Sequence, residues 1–342
     1  MNPAMRTMLA AGMALASGAN AQTYFETEGN DSKAAANVIA GMGIAFNAIQ
    51  GNSLSGSAAG LDYFDIRMAP MPLAIYQHRL TITTSGTAGH TGTIRGLGQV
   101  AAPADTMPGV PWDGVVGSAN TTDTTVQTTS TATNPPRYNQ WYGFGQGERF
   151  YYRVAGTAST TADYVATLTT SVVTPTFIGS YQPGQISITT FGQGHSTDTD
   201  LWVYDAGLNA IAGYGNDDES PLGGTPGTGA TLQSWLSRSY APGIYYLALS
   251  NFQLANNMAS PSDDDFRTGS LMDFSGLIVN SSTSVNLNMT FTIADSAGNS
   301  LQVPNTKVSQ FDVNWFMFEV VPSPGAATLL GLGGILALRR RR

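Results

Sequence analysis

YQHRLTITTSG at residues 76–86 and YQPGQISITTFGQG at residues 181–194 are two versions of one pattern. In each, aliphatic residues (Leu80 and Ile82, then Ile186 and Ile188) alternate with polar ones, and a glycine closes the run. A period of two sends one set of side chains to one face of an extended strand and the other set to the opposite face. Working outward, ERFYYRVAGTASTTADYVATLTT at 148–170 keeps the alternation, and APGIYYLALSNF at 241–252 echoes its opening. VNLNMTFTIADSAGNS at 285–300 and FDVNWFMFEVVP at 311–322 extend it. Repetition of strand patterns predicts an all-β chain of two tandem antiparallel, jelly-roll-like β-sandwiches, at residues 22–170 and 171–320.

Composition points the same way. Only 11% of the 342 residues are charged and 39 are glycine, a mixture that favours short strands and turns over long surface helices. The length suits about two domains. A Thr/Pro/Ala-rich stretch near 100–140, including TTDTTVQTTSTATNPPRYNQWYGFG at 121–145, reads as a long loop or insertion in the first sandwich.

The formal net charge is −8, but Arg6 and Arg339 to Arg342 lie in terminal segments that contain no acid. The body therefore sets ten cationic groups against 23 acidic ones, a net of −13. Such a surface repels phosphate backbones and argues against nucleic acid; divalent cations and neutral glycans are the more natural partners. Solubility alone explains the same charge. With no cysteine in the chain, disulfides, thiolate metal sites and cysteine nucleophiles are excluded.

Both ends read as addresses. Arg6, the apolar run MLAAGMALASG and the Ala19-Asn20-Ala21 pattern make residues 1–21 a signal peptide, with Gln22 as the mature start. Residues 321–342 read VPSPGAATLLGLGGILALRRRR. As a helix, Gly325 to Leu338 would extend about 21 Å against roughly 30 Å of hydrocarbon, too short for a comfortable permanent span. Its four terminal arginines fit a cytoplasmic flank and a transient stop during export. A Pro322-Ser323-Pro324 tripeptide, a short apolar helix and Arg339, Arg340, Arg341 and Arg342 together resemble the PEP-CTERM sorting signal that exosortases process. Ser323 stands where that family usually has Glu. The resemblance implies an exported protein of the cell envelope, cell surface or extracellular matrix, an exosortase-type partner, and a bacterium that makes extracellular polysaccharide.

After Gln22 comes FETEGNDSKAAAN at 25–37, then LDYFDIRM at 61–68. Glu26, Glu28, Asn30 and Asp31 are close enough in sequence for one irregular loop to gather oxygens round a hard cation, for which calcium is the suitable ion. A solvated acidic linker followed by a two-turn helix from Lys33 to Ala40, capped at Asp31 or Ser32, explains the same residues. The E-x-E-x-N-D-S run and the D-Y-F strand also resemble the bacterial pre-peptidase C-terminal domain, a β-sandwich. Its resemblance implies a calcium site at Glu26, Glu28, Asn30, Asp31 and Asp62, with Gly29 in place of the usual Pro, and Ala59 and Gly60 where another Asp is common. DTDLWVYDAGLNAIAGYGNDDES at 198–220 resembles that family's core hairpin, turning at Asp205-Ala206-Gly207.

Chemistry is harder to find. His78, His90 and His195 have no second histidine at metal-site spacing, and no G-x-S-x-G elbow is present. Asp198, Asp200, Asn216, Asp217, Asp218 and Glu219 form a second oxygen-rich set without EF-hand spacing, and turn chemistry accounts for them without a metal. Paired carboxylates suit glycoside hydrolysis only at a separation the sequence does not give. Trp141, Tyr142, Trp202, Trp235 and Trp315 could stack on sugars, although tryptophan at strand period is more often core. The expectation is a non-enzymatic protein of adhesion or exopolysaccharide association, touching membrane only transiently through its tail; the rival is a secreted hydrolase or the accessory domain of one.

Overall fold

The computed structural model describes residues 22–53, 60–84, 89–97, 99–100, 125–131, 137–156, 160–221, 224–225, 228–252, 254–258, 271–272 and 274–322. The signal-type segment with Ala19 and Ala21, much of the 100–140 stretch, and the tail from Ser323 through Pro324 to Arg339, Arg340, Arg341 and Arg342 lie outside the described residues.

The described residues are all-β, with 60% in strands and no helix of seven or more residues among them. No helix among the described residues is long and apolar enough to cross a membrane. The alternation read from the sequence becomes burial alternation. In Arg149–Gly156, Phe150, Tyr152 and Val154 are fully buried while Tyr151 and Arg153 are only partly so. Each buried aromatic or aliphatic side chain contributes about 1.5–3 kcal/mol relative to exposure.

One large sheet makes the first sandwich. Its path runs through Arg137–Gly143, Ile75–Thr84, Thr160–Val173, Phe46–Ser53, Asn37–Met42, Leu61–Met68, Arg149–Gly156, Gly89–Arg95 and Thr125–Thr131. Phe46–Ser53 and Asn37–Met42 share a single register pair, Met42 with Phe46, so the sheet folds over there. Its two halves then face each other across a core that includes Phe64, Ile66, Ile82, Trp141, Phe150 and Tyr164. Trp141 and Phe150 meet across the layers with ring centroids 4.7 Å apart.

Two of these strands, Thr125–Thr131 and Arg137–Gly143, come from the stretch expected to be a long loop. Runs of threonine are β-branched and stiff, and pair readily once a neighbouring strand is offered; here Gly89–Arg95 takes the Thr125–Thr131 strand.

A five-stranded sheet (Thr176–Tyr181, Asn314–Val320, Gly243–Asn251, Thr199–Tyr204, Ala210–Asn216) and a four-stranded sheet (Trp235–Tyr240, Gly184–Thr189, Phe291–Asp295, Ser300–Val303) form the second sandwich. Ile186, Ile188 and Ile293 from one meet Leu201, Leu249, Phe316 and Phe318 from the other. Pairing is mostly antiparallel, but Thr176–Tyr181 runs parallel to Asn314–Val320, Gln22–Phe25 to Phe46–Ser53, and Asn37–Met42 to Leu61–Met68.

The middle of the five-stranded sheet is buried on both faces. All six residues of Thr199–Tyr204 are buried, which is why Leu201-Trp202-Val203-Tyr204 reads as a continuous apolar run. Its reverse face carries Trp202, Tyr204 and Trp315 onto Ile75, Tyr142, Phe144 and Ile278 of the first sheet. Phe144 lies 5.2 Å from Tyr204 and 5.7 Å from Trp315, ring to ring. Later chain also enters the earlier core: Ala255, Phe274, Leu277, Val279 and Phe311 pack with the first sandwich.

Candidate functional site

Strand pairing builds a carboxylate pocket at one end of the first sandwich. Gln22–Phe25 lies parallel to Phe46–Ser53, and the chain leaves it with Glu26 donating its backbone N–H to Gln50 O at 3.0 Å. The Glu26 side chain then folds back over the sheet. Its Oε1 accepts the Asn52 N–H at 2.5 Å, and its Oε2 accepts the Tyr164 hydroxyl at 3.0 Å. Gly51, opposite Tyr164 in the ladder, makes this possible, because a Cβ there would overlap the Glu26 carboxylate.

Asp62 arrives from the facing layer. In Leu61–Met68 it shares the buried set with Phe64, Ile66 and Met68 and is fully buried. Both of its carboxylate oxygens lack a well-aligned donor, as does the side-chain oxygen of Asn30, also fully buried. Asn30 is tied to the same place by its backbone carbonyl, which accepts the Tyr63 N–H at 2.9 Å. Tyr164 has one proton to give, and Glu26 takes it.

The electrostatics follow. Burial, reinforced by the charge on Glu26 and then by Glu28 and Asp31, pushes the Asp62 carboxyl up to about 8, although the Tyr164 hydroxyl works the other way. Burial also raises Glu26, against the hydrogen bonds from Asn52 and Tyr164. Two carboxylates are thus held where neither is comfortable as an anion. Asp65, three residues on, shows the contrast: burial alone would raise it, but Arg149 and Arg67 hold it below the usual carboxylate range. Arg149 reaches Asp65 at 2.8 Å.

Of the residues expected to hold calcium, the fold brings Glu26 and Asp62 together and ties Asn30 by its backbone to Tyr63, the residue after Asp62. Glu28 is exposed and Asp31 half-buried; both act on Asp62 through space. The two-turn helix weighed for Lys33 to Ala40 is a single 3-10 turn, Lys33–Ala35, followed by the strand Asn37–Met42. Tyr164 was not singled out by sequence. The orphaned oxygens of Asp62 and Asn30 fit a hard, oxygen-loving cation.

Expected outcome at this pocket: Gly51→Ala pushes the Glu26 carboxylate off its hydrogen bonds to Asn52 and Tyr164 and costs about 1–3 kcal/mol, as read by urea unfolding.

Elsewhere, Asp198, Asp217 and Asp218 each bring one carboxylate oxygen to within 4.8 Å of the others. Glu219 points into its own turn, accepting Thr228 N–H at 2.8 Å and Ala230 N–H at 3.2 Å. Asp200 accepts the Leu254 N–H at 3.0 Å. His78 is stacked 5.1 Å from Trp141 and is driven down to about 3 by burial; His90 lies 5.0 Å from Tyr164 and is driven down to about 4 for the same reason. His195 is held by the Thr290 carbonyl at 2.9 Å. Trp141, Trp202 and Trp315 are core, whereas Trp235 is only half-buried. No family model matches the chain, and no curated protein matches it.

Proposed function

We propose that the chain is a non-enzymatic exported protein of the cell envelope or extracellular matrix, serving adhesion or exopolysaccharide association, with calcium stabilising its first sandwich. Glu26, Asn30 and Asp62 would hold the ion, with Glu28 and Asp31 adding charge beside them. The bound ion would supply positive charge to a carboxylate pair that burial otherwise forces towards protonation. Asp62 carries this reading: a fully buried carboxylate without a well-aligned donor, facing Glu26.

The same observation weighs against the rival reading of a secreted hydrolase. Hydrolysis by paired carboxylates needs a sugar, and in one geometry a water, between them. Glu26 and Asp62 instead act on each other directly, beside a buried tyrosine hydroxyl that Glu26 accepts, within a wall of strands. Export rests on the signal-type segment, and envelope sorting on the tail that resembles a PEP-CTERM signal, with an exosortase-type enzyme as its partner. Contact with the membrane is then transient, through the tail.

The test is retention. The protein isolated from the producing cells should be held by the producer's own extracellular polysaccharide or cell surface, and no retention overturns the reading. Turnover of casein or mixed glycans that vanishes in Glu26→Gln and Asp62→Asn would establish the hydrolase instead.

A further inference from the structure

The solvent face of the four-stranded sheet carries no charged side chain, although the protein is acidic. Register fixes which residues share it: Thr189 lies beside Trp235 and Thr292, and Thr292 beside Gln302. In the next row Ser187 lies beside Ser237 and Ala294, and Ala294 beside Ser300. The alternate positions, Ile186, Ile188, Leu236 and Ile293, face the core. No outward position on these four strands is charged, although the body of the chain carries a net −13 from ten cationic and 23 acidic groups.

Amides and hydroxyls on this face are held in place by one another. Gln193 Oε1 accepts both the Thr292 hydroxyl and the Gln302 amide at 2.9 Å. Gln185 donates its amide to Ser237 Oγ at 2.6 Å. At one end stands an aromatic pair. The Trp235 indole N–H reaches across to Ser187 Oγ at 2.8 Å, so the ring lies along the sheet, and Phe191 stacks on it at 5.6 Å with an 11° interplanar angle. Phe191 remains 39% exposed.

We infer that this platform binds a neutral glycan chain, the Phe191–Trp235 stack receiving a sugar ring and the amide and hydroxyl rows engaging sugar hydroxyls. A pyranose offers a flat C–H face that suits an aromatic surface, and a ring of hydroxyls that donate and accept as Gln, Ser and Thr do. Pre-ordered side chains lose little further entropy on binding. An anionic polymer gains nothing from an uncharged face on an acidic protein and is repelled by its surroundings. The inference rests on the polysaccharide-association reading and gives it a location.

Affinity electrophoresis of the intact protein tests it, in gels containing the producer's polysaccharide, a neutral β-glucan, a neutral α-glucan, a galactomannan or alginate. The expected result is retardation by at least one neutral polymer, unchanged in high salt, and none by alginate. Phe191→Ala and Gln185→Glu should each weaken it at least ten-fold while leaving the melting temperature in place. Trp235→Phe, which keeps a stacking ring, should retain most of it. If the wild-type protein is held and the two variants are held equally, the platform is overturned while polysaccharide association stands. If no polymer holds the wild-type protein, both fall. Retention on alginate alone, abolished by salt, also overturns the platform.

Discussion

Stripping calcium with a chelator is expected to lower the melting temperature by roughly 8–16 °C. An ion bound only by the folded state, at about 1,000 times its dissociation constant, stabilises by about 4 kcal/mol, and each kcal/mol moves the midpoint by about 2–4 °C for an unfolding unit of roughly 150–250 residues, the size of one sandwich. The stripped protein should also show a diagnostic slope. The Asp62 carboxyl sits near 4 when unfolded and is raised to about 8 in the fold, so between those values the native state keeps a proton that the unfolded state releases. Stability of the stripped protein therefore falls as pH rises from about 4 to 8, and calcium removes the fall by taking the proton's place. Asp62→Asn should invert the comparison: more stable than the stripped wild type at pH 8, and unmoved by calcium. Melting curves at pH 5 and pH 8, with calcium and with chelator, check all three.

Lys307→Met is expected to cost about 3 kcal/mol or more, roughly 6–12 °C, read by thermal or urea unfolding. Lys307 is fully buried. Its ammonium donates to Asn251 Oδ1 at 2.6 Å, Asn280 Oδ1 at 3.1 Å and Ser282 O at 3.0 Å. Asn251 ends a strand of the five-stranded sheet and Asn280 ends Leu277–Asn280, which pairs with the first sheet through Arg137–Gly143. One side chain thus ties the two sandwiches together. Methionine keeps much of the volume and gives no hydrogen to three buried acceptors, whose desolvation is then uncompensated.

A pH signature accompanies this loss. Burial brings Lys307 down to about 7, outweighing the pull of Asp312 in the other direction. Between about 7 and the ordinary lysine value the unfolded chain holds the extra proton, so stability rises with pH across that window. The rise should disappear in Lys307→Met. Its sign and window are distinct from those of Asp62, so one pH series separates the two groups.

Strand content was legible because it depends on a local signal. Ile186 and Ile188 alternate with Ser187 and Thr189 whatever their neighbours, and burial follows the alternation. The carboxylate pair was half legible: Glu26 and Asp62 are acidic residues at recognisable places in the sequence. Their meeting depends on a parallel pairing of Gln22–Phe25 with Phe46–Ser53 and on Gly51 leaving room, neither of which has a local pattern. Tyr164 and Lys307 were illegible for the same reason, since their partners lie far away in sequence: 138 positions for Tyr164 to Glu26, and 56 for Lys307 to Asn251. What sets Trp235 apart from the other four aromatics lies in its neighbours. The polar members of its strand and of Gly184–Thr189 are all uncharged on the outward face, a composition that a solvated edge in an acidic protein does not require.

The calcium seat is the claim on which stability and function both lean. Isothermal titration of calcium into chelator-treated protein at pH 7.5 tests it most directly. Uptake is expected at a site lost in Asp62→Asn and kept in Asp217→Asn, with a heat that varies with buffer because the ion displaces a carboxyl proton. Absence of uptake, or uptake unchanged in Asp62→Asn, would contradict it.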